Sequence, residues 1–374
     1  MKALYWRGRH PSLWVLLVAT CWMVGSTVLV ERWPEQVEQS GHAGKIAAAE
    51  KAKAAFEHIK GARGHLGVAI DARLDPQGSG LIGAPMSPVT SNSGHLPAKQ
   101  TSINPNFAAV IYGQLQQAGV ERGDLVAVGV SGSFPALNIC TYAALETLGA
   151  RPLVLASASA SQFGANLPEL MWLDMERVLA DAQVLTTRAS GASLGGIQDQ
   201  ALGMDAKGRA LLKQAMARNN VPFIGLETTS DRPLDLKPAV DDRIARYRAA
   251  ASGQPIKAYI NVGGSTVSLG GTEGRRAFKP GLNADPILGI EEIPGVMARF
   301  AAEEVPVIHL AQVEELARLE GLPLRPQVAP AVGEGGIYIK GEPRGWLAVL
   351  CLIIGIALLV LGDKRTGHTG QTSN

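Results

Sequence analysis

The sequence has few aromatic residues, few cysteines and almost no net charge. Aromatics make up 5% of the 374 residues, and 35 Lys and Arg stand against 33 Asp and Glu. With the basic residues scattered along the chain, this balance gives no support for nucleic acid as a partner. Glycine is abundant, with 43 residues, a composition typical of an α/β protein whose helices pack closely on a sheet.

The three cysteines carry no sign of a disulfide or a metal site. Cys21 and Cys351 lie in apolar runs, which leaves Cys140 alone in the middle of the chain on a helical pattern. We predict that Cys140 is a buried small hydrophobe. Because no CxxC, HxH or HExxH spacing occurs, we expect no metal and no cofactor.

Two long apolar runs frame the chain. Residues 12–30 are 19 residues without charge, which is enough to cross a bilayer, and residues 345–362 form a second run. Basic residues precede the first run and follow the second, so the positive-inside rule predicts cytoplasmic ends at 1–11 and 363–374. Residues 31–344 would then form a domain outside, away from cytoplasmic nucleotides. A cleaved signal peptide is the alternative for the first run, and the lack of an A-x-A site disfavours it.

Short apolar segments alternate with amphipathic ones between these runs. This alternation predicts a mostly parallel α/β sheet with flanking helices, Rossmann-like, between two transmembrane helices. The predicted strands are 125–130, 152–155, 221–227, 256–262 and 305–310. The predicted helices are 41–60, 106–118, 135–148, 168–180, 205–219, 240–251, 293–303 and 311–320.

Three of the predicted strands end in loops of small residues, at 129–133, 156–166 and 263–271. The carboxyl ends of parallel strands lie at one edge of a sheet, so we expect these loops to meet. Their backbone N–H groups and hydroxyls suit a bound anion, and tight structural turns are the alternative. The candidate ligand-binding residues are Gly132, Ser157, Ser159, Ser161, Gly263, Gly264, Ser265, Thr266 and Lys99. For Lys99, in the long polar segment 71–105, an ordinary exposed lysine is the alternative.

A covalent mechanism is the other interpretation of the first loop. Residues 129–133 read GVSGS, which approaches the G-x-S-x-G nucleophile turn but lacks its last glycine. Ser131 and Ser133 are therefore candidate nucleophiles, with His309, at the end of strand 305–310, as their base. A structural hydrogen bond is the alternative role for His309. Asp174 and Glu176 do not share a helix face, so we predict a solvated surface there.

Several segments together resemble the bacterial poly-gamma-glutamate system protein family. They include GDLVAVGVSGSFPALNI, ASQFGANLPE, MWLDME, NVGGS, PVIHL and LDPQGSGLIGAPMSPVT, and they run from about residue 40 to 330. The resemblance implies a membrane-anchored component of poly-γ-glutamate synthesis or export in the bacterial (inner) membrane. It implies the anionic polymer and membrane synthase or export subunits as partners, and it implies no catalytic residue.

Three functions therefore remain open at the level of sequence. The outer domain binds the polymer through its three loops, or it is a serine-dependent amidase or transpeptidase that trims or releases the polymer. In the third, the chain is a scaffold for the synthase complex and the loops are only structural. The sequence leaves the oligomeric state open.

Overall fold

The computed structural model describes residues 12–225 and 235–366. Two compact units make up the chain: Ser40–Tyr338, here the central unit, and Met1–Gln39 with Ile339–Asn374, here the terminal unit. The predicted cytoplasmic segment 1–11 and residues 367–374 of the predicted tail lie outside the described residues.

The helices are, in chain order, α1 (Leu13–Arg32), α2 (His42–His65), α3 (Leu96–Ser102), α4 (Phe107–Gln117), α5 (Pro135–Leu148), α6 (Trp172–Asp181), α7 (Ala206–Arg218), α8 (Lys237–Ala251), α9 (Thr266–Leu269), α10 (Thr272–Ala277), α11 (Val296–Ala302), α12 (Val313–Leu319) and α13 (Gly345–Thr366). The strands are β1 (Glu35–Glu38), β2 (Leu125–Ser131), β3 (Arg151–Ser157), β4 (Asn166–Leu167), β5 (Leu170–Met171), β6 (Gly191–Ser193), β7 (Ile256–Val262), β8 (Gly281–Asn283), β9 (Val307–Leu310) and β10 (Ile339–Glu342). Two short 3₁₀ turns, Ile197–Asp199 and Ile290–Glu292, complete the described elements.

The central unit is built on a six-stranded sheet in the order β6-β3-β2-β7-β9-β8. Five of these strands are parallel, and β8 runs antiparallel to β9. The chain builds outward from β2 to β6 on one side, then returns to add β7 and β9 on the other. The prediction of a mostly parallel α/β sheet with flanking helices is confirmed.

Alternation along β2 gives the sheet two apolar faces. Val126, Val128 and Val130 face one core, to which α2, α4 and α5 contribute, whereas Ala127 faces a second core with α8 and α11. Such a strand is buried on both sides, which explains its continuous run of small apolar residues. Cys140 on α5 is fully buried in the first core, as predicted.

Two predictions about the central unit were wrong. Residues 221–225 of the predicted strand 221–227 make only a single bridge, between Phe223 and Ala192, and the rest lies outside the described residues. The surface predicted at Asp174 and Glu176 is buried. Asp174 caps the start of α6 and binds Arg218, while Glu176 accepts a hydrogen bond from the Tyr142 hydroxyl. Because Arg218 and Tyr142 bind the two carboxylates, both residues can be buried where their spacing on the helix predicted exposure to solvent.

The terminal unit consists of two apolar helices and a two-stranded ribbon. β1 pairs antiparallel with β10, and α1 packs against α13, where the Trp22 indole N–H donates to the Cys351 carbonyl at 2.9 Å. Among the described residues, α1 alone is long and apolar enough to cross a membrane, and a signal sequence would pass the same test. The apolar part of α13, Gly345–Leu361, is shorter. The two predicted spans are therefore supported only for the first.

Candidate functional site

A cavity of about 210 Å³ lies beyond the carboxyl ends of β2, β3 and β7, and all three predicted loops contribute to it. Parallel pairing aligns the strand ends, with Ser131 of β2 directly opposite Ser157 of β3. The strand order reverses at β2, which is where open α/β sheets bind ligands. The predicted residues that line the cavity are Ser131, Ser133, Ser157, Ser159, Ser161, Gly264, Ser265, Thr266 and Lys99.

Lys99 is a buried base in this cavity, so the alternative of an ordinary exposed lysine was wrong. Helix α3 supplies it, and only 2% of the residue is exposed. Its Nζ donates to Ser161 Oγ at 2.8 Å and makes a short hydrogen bond to the Ser133 carbonyl. The same nitrogen lies 3.7 Å from the centroid of the Phe134 ring. Burial lowers the pKa of Lys99 to about 7, so the amine exists with and without its third proton near neutral pH.

The serines of the β2 and β3 loops hold one another in place. Ser131 Oγ accepts the Ser133 N–H at 3.4 Å, and Ser133 Oγ accepts the Ser161 N–H at 3.1 Å. Ser159 differs from these, because its buried Oγ has no hydrogen-bond partner within residues 12–225 and 235–366. An unsatisfied buried hydroxyl costs roughly 1–3 kcal/mol, so a ligand group or a water beside Ser159 would stabilise the site.

A buried ion pair supports the β3 side of the cavity. Arg243 of α8 binds the Asp199 carboxylate at 2.9 Å, and both residues are at most 6% exposed. Ser157 and Ser193 donate to the same carboxylate at 3.2 Å and 2.6 Å. Asp199 itself has a left-handed backbone, with φ of 64°, a strained conformation of the kind that collects at functional sites. The ion pair therefore fixes the orientation of the Ser157 hydroxyl.

The titratable side chains that line the cavity are basic. His95 and Arg275 join Lys99 there, and no Asp or Glu is among the lining residues in the described chain. Arg275 is exposed on α10, while His95 lies 3.4 Å from Glu314 of α12. Cations, hydroxyls and the absence of a lining carboxylate suit an anionic group.

His309 is not in this cavity. It lines an adjoining cavity of about 500 Å³, which shares Phe134, Gly264, His95 and Arg275 with the first. The register of β7 and β9 sets His309 opposite Asn261, whose amide N–H donates to His309 Nδ1 at 3.0 Å. Burial, and then the charge of Arg275, lower the pKa of His309 to about 4. No hydrogen bond joins His309 to a serine in the described residues, so the predicted base is not in contact with Ser131 or Ser133.

Gly132 and Gly263 shape the loops without lining the cavity. The Gly132 carbonyl accepts the Ala165 N–H at 2.7 Å, and a Cβ on Gly132 would lie 3.0 Å from the Ala160 Cβ. Gly263 has φ of 95°, a conformation that side chains rarely adopt. Both glycines allow the β2, β3 and β7 loops to approach one another closely.

Several residues of the site carried no sequence signal. Phe134 and Arg275 line the cavity, and Asp199 and Arg243 lie beneath it, yet none belongs to a recognisable pattern. The polar segment 71–105 is unusually long, as functional loops often are, and its residues 91–95 form one wall of the cavity. The length of this irregular segment was thus the sequence feature that indicated residues 91–95 as part of the site.

The described residues contain no group of three or more His, Cys, Asp or Glu that could hold a metal ion. No protein-family model, curated protein or solved structure matches the chain. The resemblance to the poly-gamma-glutamate system family therefore stays a prediction.

Proposed function

We propose that this protein is a membrane-anchored component of poly-γ-glutamate synthesis or export, and that its α/β domain binds the carboxylates of the polymer. The observation that carries the proposal is the cavity at the ends of β2, β3 and β7. It presents serine hydroxyls and three basic side chains, with no carboxylate among the described residues that line it. Poly-γ-glutamate has one carboxylate on every residue and matches this lining.

The size of the cavity favours a short piece of a longer ligand. Its volume of about 210 Å³ is below the roughly 300–1,000 Å³ typical of pockets that enclose a whole small molecule. One glutamyl unit fits such a space while the rest of the chain remains outside. A polymer in transit has to release each contact, which a single small subsite permits.

The strength of the contact between the polymer carboxylates and Lys99 should depend on pH. Glutamate carboxylates are ionised above a pH of roughly 4.3, whereas Lys99, with a pKa of about 7, is charged below that value. Binding is then strongest between these two limits and weakens as the pH rises through 7. The exposed Arg275 also lines the cavity and preserves weaker binding at higher pH.

The sheet is, in this proposal, Rossmann-like. Strand order supports this inference, because β2 is central, β3 and β6 follow on one side, and β7 and β9 follow on the other. The serine cavity then occupies the position at which such sheets hold phosphates. A carboxylate replaces the phosphate because the domain faces a compartment without cytoplasmic nucleotides.

We also propose that α1 and α13 both cross the bacterial inner membrane, with the two chain ends in the cytoplasm. The contact between the helices supports this, since Trp22 of α1 binds the backbone of Cys351 in α13. Large apolar side chains, such as Leu17 and Ile353, are more than half exposed on these helices and suit lipid or the apolar helices of synthase subunits. Lys364 and Arg365 after the second run agree with this orientation.

Binding of poly-γ-glutamate to the full-length protein in detergent tests the proposal. We expect salt-sensitive binding at pH 6, and none to the same polymer with its carboxylates esterified. Arg275→Ala should weaken binding about two- to five-fold, the range of an exposed ion pair. Arg276→Ala is the matched control, because Arg276 is also exposed on α10 but does not line the cavity.

Equal binding of the charged and esterified polymers, or equal effects of the two arginine variants, would contradict a polymer site in this cavity. The scaffold function would then be favoured, with the exposed apolar residues of α1 and α13 as its contact surface.

A further inference from the structure

We propose that Ser161 and Lys99 are a nucleophile and its base, and that they cleave or transfer an amide of the anionic chain bound in the cavity. The identity of the substrate rests on the proposed function, whereas the chemistry of the pair rests on geometry alone. This assignment replaces Ser131, Ser133 and His309, which the sequence suggested for the same reaction class.

The contact between the two side chains is the basis of the proposal. Lys99 Nζ lies 2.8 Å from Ser161 Oγ, both residues line the cavity, and each is at most 6% exposed. A nucleophile and its base have to lie within roughly 2.6–3.2 Å of each other. In the described chain, Ser161 is the serine whose hydroxyl contacts a side chain able to take up a proton at neutral pH.

Four other serine hydroxyls of the cavity are engaged elsewhere or have no partner. Ser131 and Ser133 accept backbone N–H groups, and Ser157 binds the Asp199 carboxylate, which is paired with Arg243. The Ser159 hydroxyl has no hydrogen-bond partner in the part of the chain that the structure describes. Among these five serines, the hydrogen-bond partners therefore favour Ser161 as the nucleophile.

The orientation and the pKa of the Lys99 amine both suit a general base. The Ser133 carbonyl accepts one N–H of the amine and fixes its direction, and burial brings its pKa to about 7. Titratable and charged groups on the surrounding elements are His95 before α3, Arg275 of α10 and Glu314 of α12, and burial is the cause of the lowered pKa of Lys99. Roughly half of the molecules therefore carry a neutral amine at neutral pH.

The reaction proceeds in two balanced halves. The Ser161 oxygen attacks the amide carbonyl carbon while its proton passes to Lys99 Nζ. The C–N bond then breaks, the leaving amine takes that proton from Lys99, and an ester joins the acyl group to Ser161. Water, or the amine of another chain, attacks the ester and gives its proton to Lys99, which returns it to Ser161 as the ester bond breaks. Attack by water shortens the polymer, whereas attack by an amine transfers the acyl group to another chain.

A fluorophosphonate probe tests the activated serine without any assumption about the substrate. Full-length protein in detergent is treated with the probe, and the modified residue is located by peptide mass. We expect an adduct on Ser161, with a labelling rate that rises with pH about a midpoint near 7. Ser161→Ala should remove the adduct, and Lys99→Met should slow its formation by about 100-fold or more.

Two buried or half-buried residues away from the cavity provide matched controls. Ser268 is 4% exposed and bonds to the Tyr259 hydroxyl, and Lys45 donates to the Ile337 carbonyl. Ser268→Ala and Lys45→Met should label like the wild type. Because the pH profile uses the wild-type protein, it tests the base even where Lys99→Met fails to fold.

An adduct on a different serine, no adduct at pH 8–9, or a Ser161 rate independent of pH from 6 to 9 would overturn the pair. Polymer binding separates this proposal from the previous one. Polymer that binds without any labelling of Ser161 overturns the pair and supports the binding function. Labelling of Ser161 with no polymer binding supports the pair and overturns poly-γ-glutamate as its ligand.

The polymer itself then identifies the bond. We expect wild-type protein to shorten or extend poly-γ-glutamate, as measured by gel filtration, and Ser161→Ala to leave its length unchanged. Unchanged polymer in the presence of a labelled Ser161 would overturn the polymer amide as the substrate.

Discussion

Lys99 and His309 are two buried bases beside adjoining cavities, and they differ in what each one contacts. Lys99 touches a serine hydroxyl and a backbone carbonyl, and its pKa is about 7. His309 accepts an amide N–H from Asn261, and its pKa is about 4. Histidine is the usual base of a serine nucleophile, yet here the lysine has the serine. The partner of a base, rather than its residue type, therefore decides whether that base can activate a serine.

The two sites also rest on different supports. A buried ion pair, Asp199 with Arg243, lies beneath the serine cavity and orients Ser157. His309 is instead held by its neighbour across two strands. Both supports join residues distant in sequence, but the serine site rests on a buried ion pair, so the loss of one partner should cost more stability there.

Of the changes that distinguish the two sites, the loss of Arg243 should lower the free energy of unfolding most. Arg243→Met leaves the Asp199 carboxylate buried without its cation, which should lower the free energy of unfolding by about 3–5 kcal/mol. Urea denaturation of the full-length protein in detergent measures this difference. Arg246→Met is the control, since its exposed pair with Asp242 should contribute less than about 1 kcal/mol. Equal losses in both variants would show that the buried pair does not support the site.

The sequence was sufficient for the four strands β2, β3, β7 and β9 and for the edge where the site lies, but not for the short outer strands β6 and β8. The apolar runs of β2 and β7 end in small residues, and Pro135 marks the first turn of α5, so local pattern fixes these elements. Parallel strands then require their loops to meet. The burial of Lys99 depends on how α3 packs in the folded domain. Likewise, Asp199 and Arg243 are 44 residues apart, and no local pattern records such a contact.

Lys99 should also make stability depend on pH in the alkaline range. Its pKa is about 7 in the folded protein and 10.5 when unperturbed, so the unfolded chain binds the extra proton between these values. The free energy of unfolding should therefore rise with pH from 7 to 10.5, by up to about 1.4 kcal/mol per pH unit. Lys99→Met should flatten this slope, and Lys45→Met should retain most of it. A slope that persists in Lys99→Met would mean that another group causes it.

His309 should produce the smaller effect, in the acid range. Its pKa is about 4 in the folded protein and 6.5 when unperturbed, so the unfolded chain binds more protons between pH 4 and 6.5. The stability contributed by the neutral imidazole should be fully present above pH 6.5 and lost as the pH falls toward 4. His309→Gln should remove that dependence and leave fluorophosphonate labelling of Ser161 unchanged, both measured on the full-length protein. Labelling that falls in His309→Gln by as much as in Lys99→Met would instead make the histidine part of the serine site and erase the distinction between the two bases.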